Sequence, residues 1–157
     1  MIQIRKYMQQ DLFQAATLIS ETFRKFNFKD NTQAAAMDYV AFYNPSLNRN
    51  NIKASFDDST LFFVAEKHDQ IIGMLRAVDN RIVNLFVNEK FHKNGIGKRL
   101  IQSYENKCRK LGYQEVVLRS QAYAVPFYRA CGYKRTTGIR NKDGLLVQPM
   151  KKQLNDG

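Results

Sequence analysis

The sequence predicts a single α/β domain in which a mixed, mostly antiparallel sheet is flanked by helices. Three observations lead to this fold class. Stretches with a helical spacing of apolar residues alternate with short apolar runs that are typical of strands. The chain has 157 residues, the length of one domain, and 44% of them are hydrophobic. We see no internal repeat and no linker rich in proline or serine, so we take residues 1–157 as one domain.

The first third of the chain predicts one strand and two helices. Residues 2–7 alternate like a short strand, and apolar residues recur at helical spacing from Gln10 to Phe26. A second helix is predicted over residues 32–43. The pair Asn44-Pro45 ends this helix, because the residue before a proline disfavours helical geometry. The polar residues 46–58 are predicted to form a loop.

Three strands are predicted in the middle of the chain, over residues 61–67, 71–77 and 81–87. Short turns of polar residues separate them. The third strand, RIVNLFV, is apolar enough to lie at the centre of a sheet.

The last third predicts a helix, a strand, a short helix and a hairpin. The first helix follows Gly97 and ends at Gly112. Its apolar stripe consists of Leu100, Ile101, Tyr104, Cys108 and Leu111. A strand over 115–119 and a short helix over 124–131 come next. The hairpin joins residues 133–140 to 145–152 through a loop that contains Asp-Gly.

Composition limits the function classes. The two cysteines have neither metal-ligand spacing nor a disulfide pattern, so we expect no metal site. No apolar run reaches the roughly 18 residues of a membrane span. The N-terminus lacks the apolar block of a secretory signal. We therefore expect a cytoplasmic protein with no membrane partner.

The net charge of +11 lies entirely in the second half of the chain. Residues 1–89 contain 10 Lys and Arg against 10 Asp and Glu, whereas residues 90–157 contain 15 against 4. Such a local excess favours an anionic partner, which could be a phosphorylated cofactor, a nucleic acid or an acidic surface.

The basic half opens with a glycine-containing loop, FHKNGIGKRL, between a predicted strand and a predicted helix. The first amides of a helix lack partners, and the helix dipole makes that end electropositive. Glycine lets phosphate oxygens approach these amides closely. No Gly-Lys-Ser/Thr follows, and Leu100 stands where a dinucleotide fold would have its third glycine.

Two segments together carry a resemblance to a known family. The segment LFVNEKFHKNGIGKRLI is similar to the acetyl-CoA-binding motif of the Gcn5-related N-acetyltransferases. The segment AVPFYRACGYKR resembles the second signature of that family, in the expected order and separation. The resemblance implies the acyl-CoA N-acyltransferase fold. It also implies transfer of the acetyl group of acetyl-CoA directly to a primary amine of a small molecule or a protein.

The resemblance also assigns residues to the cofactor. The pyrophosphate loop would consist of Lys93, Asn94, Gly95, Ile96, Gly97 and Lys98. The strand edge that pairs with the pantetheine arm would consist of Leu85, Phe86 and Val87. Gln121 and Phe127 complete the expected cofactor contacts. Two residues depart from the family pattern: His92 replaces the usual Arg or Gln, and Gln121 replaces an Asn found in many members.

Tyr128 matches the general acid of the family, and its hydroxyl can donate a proton at neutral pH to the departing thiolate. Several candidates stay open for the general base. Glu21 on the first helix is the residue that we select, and Asp79 and Asn84 are alternatives. A water-mediated base, or an amine that arrives neutral, would also serve.

Two other functions remain as hypotheses at this point. One is a CoA-binding sensor or interaction module without catalysis, which His92 and Gln121 favour and Tyr128 disfavours. The other is a nucleic-acid-binding domain, which we do not expect because no recognition helix or aromatic–basic interleaving is present. The resemblance also allows a homodimer.

Overall fold

A single twisted sheet organises the chain in the computed structural model, which describes residues 1–155. The strands are β1 (Gln3–Lys6), β2 (Leu61–Lys67), β3 (Gln70–Val78), β4 (Arg81–Val87), β5 (Glu115–Ser120), β6 (Lys134–Arg135), β7 (Arg140–Lys142) and β8 (Leu145–Gln153). The helices are α1 (Leu12–Phe26), α2 (Gln33–Phe42), α3 (Pro45–Asp57), α4 (Ile96–Lys110) and α5 (Val125–Ala130).

The strand order is β1-β2-β3-β4-β5-β8-β6, and β7 pairs with β8 beside this path. Every neighbouring pair is antiparallel except β4 and β5. The prediction of a mixed, mostly antiparallel sheet is therefore confirmed. The expectation that β4 is central is confirmed as well.

Helices cover the two faces of the sheet and bury two separate apolar layers. α1, α2 and α3 pack on one face, where Ile19, Ile52 and Met74 are fully buried. α4 and α5 pack on the other face, where Leu75 and Leu100 are fully buried. The sheet thus separates the two layers of side chains. No helix within residues 1–155 is both long enough and apolar enough to cross a bilayer.

The prediction of a loop over residues 46–58 was wrong, because this segment is α3. Asn44-Pro45 does end α2, but the same pair also starts α3. The Asn44 side chain accepts a hydrogen bond from the Ser46 amide at 3.0 Å, and Pro45 occupies the first turn, where its missing N–H is harmless. Ile52 and Phe56, four residues apart, form the buried apolar stripe of this mostly polar helix.

The predicted continuous strand over residues 133–140 was also wrong, because it is broken into β6 and β7. The cause is Pro149 on the partner strand β8. The Thr136 amide donates to the Pro149 carbonyl at 3.1 Å, but proline has no N–H to donate back. The Gln148 side chain instead donates to the Thr137 carbonyl at 2.6 Å, so the ladder ends there.

The predicted apolar stripe of α4 is confirmed apart from its last member. Leu100, Ile101, Tyr104 and Cys108 are buried. Leu111 is 53% exposed, because it lies just past the last turn of the helix.

The burial of Ile52 predicts that α3 contributes to stability. Ile52→Ala should lower the free energy of unfolding by about 2–5 kcal/mol, because it leaves a cavity against α1 and the sheet. Leu47→Ala on the same helix is the matched control, since Leu47 is 75% exposed. It should change stability by about 0.5 kcal/mol or less. Urea denaturation measures both, and equal values for the two variants would contradict this packing of α3.

Candidate active site

The central pair of strands separates after a short stretch of pairing. β4 and β5 pair only through Arg81 with Val117 and Ile82 with Leu118. Beyond this point the rest of β4 pairs with β3 alone, and the end of β5 pairs with β8. We call the space between residues 83–87 of β4 and residues 119–120 of β5 the β4–β5 gap.

A bulge in β4 sets which side chains lie on which side of this gap. Arg76 pairs with Asn84 and Ala77 with Ile82, so Val83 is the extra residue. Because a bulge inverts the alternation of side chains, Asn84 points toward the helical layer of α1, α2 and α3. Phe86 packs in the same layer, whereas Leu85 packs on the side of α4.

Backbone groups of β4 face the gap. The Asn88 amide donates to the Ile72 carbonyl of β3 at 2.7 Å. Backbone directions alternate along a strand, so the groups of Val87 and Leu85 point away from β3. The carbonyl of Val87 indeed bonds elsewhere, to the Nε2 atom of His92 at 2.7 Å. The side chain of His92 is therefore engaged with the strand edge.

The loop after β4 ends in an uncapped helix N-terminus. Gly95 precedes α4 with a left-handed φ of 75°, and Lys93 is also left-handed with a φ of 70°. No side chain caps α4, in contrast to α2 and α3. Four successive amides donate no hydrogen bond to any of residues 1–155. They belong to Gly95, Ile96, Gly97 and Lys98.

The first turn of α4 packs directly against α5. A Cβ atom on Gly97 would lie 2.9 Å from Cζ of Phe127, closer than side-chain atoms normally approach. Glycine at this position therefore lets the Phe127 ring lie on the helix start. The two predicted cofactor residues, which are 30 positions apart in the sequence, are thus in contact.

Tyr128 follows on the inner side of α5. Its ring meets those of Phe127 and Tyr133 edge-on, with centroids at 5.4 and 5.7 Å. Burial raises the pKa of Tyr128, so its hydroxyl stays protonated at neutral pH. This hydroxyl makes no hydrogen bond within residues 1–155, yet no buried side-chain polar atom there lacks a partner. The hydroxyl oxygen is therefore not completely enclosed, although Tyr128 as a whole is only 6% exposed.

The connection between α1 and α2 crosses the mouth of the gap. Phe26 contacts His92, which follows β4, with ring centroids 5.1 Å apart. It also stacks on Tyr123, which follows β5, at 4.9 Å. Asn31 donates to the side-chain oxygen of Gln121 at 2.7 Å. The oxygen of Gln121 is thus occupied, and its NH₂ group makes no hydrogen bond within the described residues.

The candidates for the general base lie in three different places. Glu21 is exposed on α1. Being two residues from both Ile19 and Phe23, it lies on the opposite side of the helix from these buried residues. Asp79 lies in the turn before β4, at the end of the strand where β4 and β5 are still paired. Only Asn84 lies at the gap.

The sequence did not single out the polar network around Asn84. The buried Arg76 donates from Nε to the Asn84 side-chain oxygen at 2.8 Å. The Asn84 amide nitrogen in turn donates to the Tyr39 hydroxyl at 3.0 Å. The only indication of this network in the sequence was Arg76, the single charged residue in the apolar strand IIGMLRAV. No cluster of three or more potential metal ligands occurs among the described residues.

Comparison with known proteins agrees with this geometry. The family model of the acetyltransferase (GNAT) domain matches residues 23–154. N-acetyltransferase 8 of Homo sapiens is 32% identical over 88 aligned residues. That match covers 48% of this chain and only 39% of the human protein, so the chain corresponds to less than half of this relative.

Two solved structures share the fold over nearly the whole chain. A GCN5-related N-acetyltransferase from Rhodopseudomonas palustris superposes with a TM-score of 0.82 at 16% identity, covering 97% of this chain and 95% of that one. The PaiA N-acetyltransferase of Thermoplasma acidophilum, solved in complex with coenzyme A, gives 0.73 at 21% identity and covers 98% and 99%. With a family model that spans most of its length, the chain belongs to the GNAT family of acetyltransferases.

Proposed function

We propose that this protein transfers the acetyl group of acetyl-CoA directly to a primary amine of a small molecule or a protein. Membership of the GNAT family and the coenzyme A complex of a structural relative support the donor. One observation carries the proposal. The β4–β5 gap begins beside the unpaired backbone edge of β4, and free helix amides lie at the end of that strand.

The cofactor end of the site consists of the free amides at the start of α4. Amides at a helix N-terminus bind phosphate oxygens through hydrogen bonds and the helix dipole. Lys93, Lys98 and the side chain of Asn94 add charge and polarity in the same loop. The backbone groups of Leu85 and the amide of Val87 are free to pair with an extended amide-containing arm such as pantetheine, whereas the Val87 carbonyl is bonded to His92.

Tyr128 suits the role of general acid. Transfer requires that an amine attacks the thioester carbonyl and that a thiolate leaves. The raised pKa of Tyr128 keeps its hydroxyl protonated at neutral pH, so a proton is present for the departing sulfur. The buried ring fixes the position of a hydroxyl that is bonded to no other residue within 1–155.

In this proposal Glu21 is not needed to remove a proton from the amine. Glu21 lies on the side of α1 that faces away from the buried core, so its role as a base stays a prediction. An amine that is neutral when it binds can attack without a dedicated base.

A second candidate is a CoA-binding module that does not catalyse. The two departures from the family pattern favour it, because both side chains make internal contacts. His92 bonds the Val87 carbonyl, and Gln121 accepts from Asn31. Binding of acetyl-CoA without turnover on any amine would support this candidate.

Gly97→Ala tests the cofactor loop. The added methyl group collides with Phe127, so the ring or the helix start must shift, at a cost of about 1–3 kcal/mol. We expect the affinity for coenzyme A, measured by calorimetric titration, to fall about tenfold or more. Adding Phe127→Leu should recover part of the loss. Gly138→Ala is the matched control, since a methyl group there meets no atom within 4 Å. Unchanged affinity in Gly97→Ala would argue against this loop as the binding site.

Tyr128→Phe tests both the role of Tyr128 as general acid and the transfer of the acetyl group to an amine. Thiol release from acetyl-CoA should be measured with aminoglycosides, polyamines, amino acids and short peptides. We expect turnover with the accepted amine to fall about 100-fold or more in the variant, because the proton donor is lost. The affinity for coenzyme A should not change. Tyr113→Phe serves as a control, since Tyr113 donates to Asp79 before β4. Turnover by Tyr128→Phe at the wild-type rate would refute the role of Tyr128 as general acid.

A further inference from the structure

A buried positive charge lies beneath the helices on the α1, α2 and α3 side of the sheet. Arg76 is 4% exposed and forms no ion pair within residues 1–155. Its partners are all uncharged: Asn84, the Tyr43 hydroxyl at 3.1 Å, and Ser55, whose carbonyl lies at 3.0 Å. Burying an arginine is costly even when its hydrogen bonds are satisfied, and an apolar residue of similar volume is often as stable. The charge therefore calls for an explanation beyond stability.

Arg76 determines the orientation of the Asn84 side chain. Guanidinium nitrogens can only donate, so the atom of Asn84 that receives the bond at 2.8 Å must be the oxygen. The amide nitrogen is then the atom that faces Tyr39, and it donates to the hydroxyl at 3.0 Å. One lone pair of the Tyr39 oxygen is thereby used. Its second lone pair and its own proton bond to no residue within 1–155.

The ring of Tyr39 is fixed as well. It stacks on Phe23 with centroids 3.9 Å apart and an interplanar angle of 18°. Phe86 of β4 packs against the same cluster of Phe23, Ala36 and Val40. These contacts hold the hydroxyl beside Asn84, at the point where β4 has just separated from β5.

Tyr39 and Tyr128 lie on opposite faces of the sheet, and both are linked to the part of β4 that β5 leaves unpaired. Tyr39 bonds to Asn84 of β4. Tyr128 adjoins Phe127, whose ring packs on Gly97, and a Cβ atom on Gly97 would also lie 3.8 Å from a side-chain carbon of Val87. Burial raises the pKa of Tyr39 well above its usual value, so its hydroxyl stays protonated.

We propose that the Tyr39 hydroxyl binds the acceptor amine across the β4–β5 gap from Tyr128, with Asn84 and Arg76 as the residues that position it. This inference rests on the proposed acetyl transfer. The free lone pair of the Tyr39 oxygen accepts an N–H of the amine. The nitrogen lone pair is then directed into the gap.

The reaction balances with these groups alone. The amine nitrogen forms a bond to the thioester carbonyl carbon, and the carbon–sulfur bond breaks. The sulfur leaves with the bonding pair and takes the proton of Tyr128. The nitrogen then gives up one of its protons, which restores the Tyr128 hydroxyl.

The network also defines a class of acceptor. Its only charge among the described residues is the positive charge of Arg76, which disfavours an ammonium ion nearby. The acceptor must therefore bind as a neutral amine. The α-amino group of a peptide, with a pKa of about 8, is partly neutral near pH 7–8, whereas lysine-like amines, with a pKa of about 10.4, are almost wholly charged. We expect the α-amino group of a peptide as acceptor.

The experiment compares two groups of acceptors by thiol release from acetyl-CoA. One group consists of short peptides with a free N-terminus and no lysine. The other consists of polyamines and Nα-blocked lysine. We expect kcat/KM at pH 7.5 to be about tenfold or more higher for the first group, in line with the neutral fractions of the amines. Turnover confined to polyamines or lysine would overturn the acceptor class.

Tyr39→Phe removes the hydroxyl and keeps the stacked ring. We expect kcat/KM for the amine to fall about tenfold, the effect of one hydrogen bond at the upper end of its range, while the affinity for coenzyme A does not change. Tyr7→Phe is the matched control, because Tyr7 is likewise stacked, on Phe62 at 4.0 Å. Equal kinetics of Tyr39→Phe and wild type would overturn the assignment of Tyr39 and leave the acetyltransferase proposal intact. A wild-type protein that acetylates no amine would refute both.

Asn84→Ala separates positioning from folding. If Asn84 acts through Tyr39, the double variant Tyr39→Phe/Asn84→Ala should lose no more kcat/KM than Tyr39→Phe alone, because the effects of coupled residues are not additive. Additive losses would overturn the positioning role. Thermal unfolding shows whether Asn84→Ala still folds with Arg76 left unsatisfied. If it does not fold, the comparison of Tyr39→Phe with Tyr7→Phe decides the inference.

Discussion

The separation of β4 from β5 after two residue pairs is the constraint on which the site depends. In an unbroken sheet, the backbone groups of Leu85 and Val87 would bond to β5. In this protein β5 continues along β8, and β4 beyond its bulge at Val83 pairs with β3 alone. Strand-edge groups left without a strand partner need another one. The His92 ring supplies it for one carbonyl, and the remaining groups form an edge that an extended ligand can pair with.

The same separation leaves an opening in the sheet between two layers of side chains. The sheet keeps the α1, α2 and α3 layer apart from the α4 and α5 layer except at the gap. Tyr39 belongs to the first layer and Tyr128 to the second, and both hydroxyls keep their protons because burial raises their pKa values. Two neutral hydroxyls on opposite sides of one opening can hold a nucleophile and protonate a leaving group at the same time.

Local patterns determined how much of this could be predicted from the sequence. The strand–loop–helix around Gly95 and Gly97 is contiguous in the sequence, so this arrangement could be predicted, and the structure has it as β4, a loop and α4. α3 was missed because Ile52 and Phe56 alone form its buried apolar stripe and most of its other residues are polar. The break between β6 and β7 depends on Pro149 of the partner strand, which no local pattern reveals. Tyr39 and Asn84 are 45 residues apart, and tertiary packing alone brings them together.

The chemistry of the cysteines bears on whether transfer is direct or passes through an acetylated enzyme. A covalent route needs a nucleophile, and the thiolate is the reactive form of cysteine. Burial raises the pKa of Cys108 and of Cys131, so both thiols stay protonated at neutral pH. Neither is primed to take an acetyl group from a thioester. In the proposed mechanism, Tyr128 and Tyr39 instead lie around one opening beside the free amides at the start of α4. These residues would therefore provide every group that direct attack of the amine on the bound thioester requires.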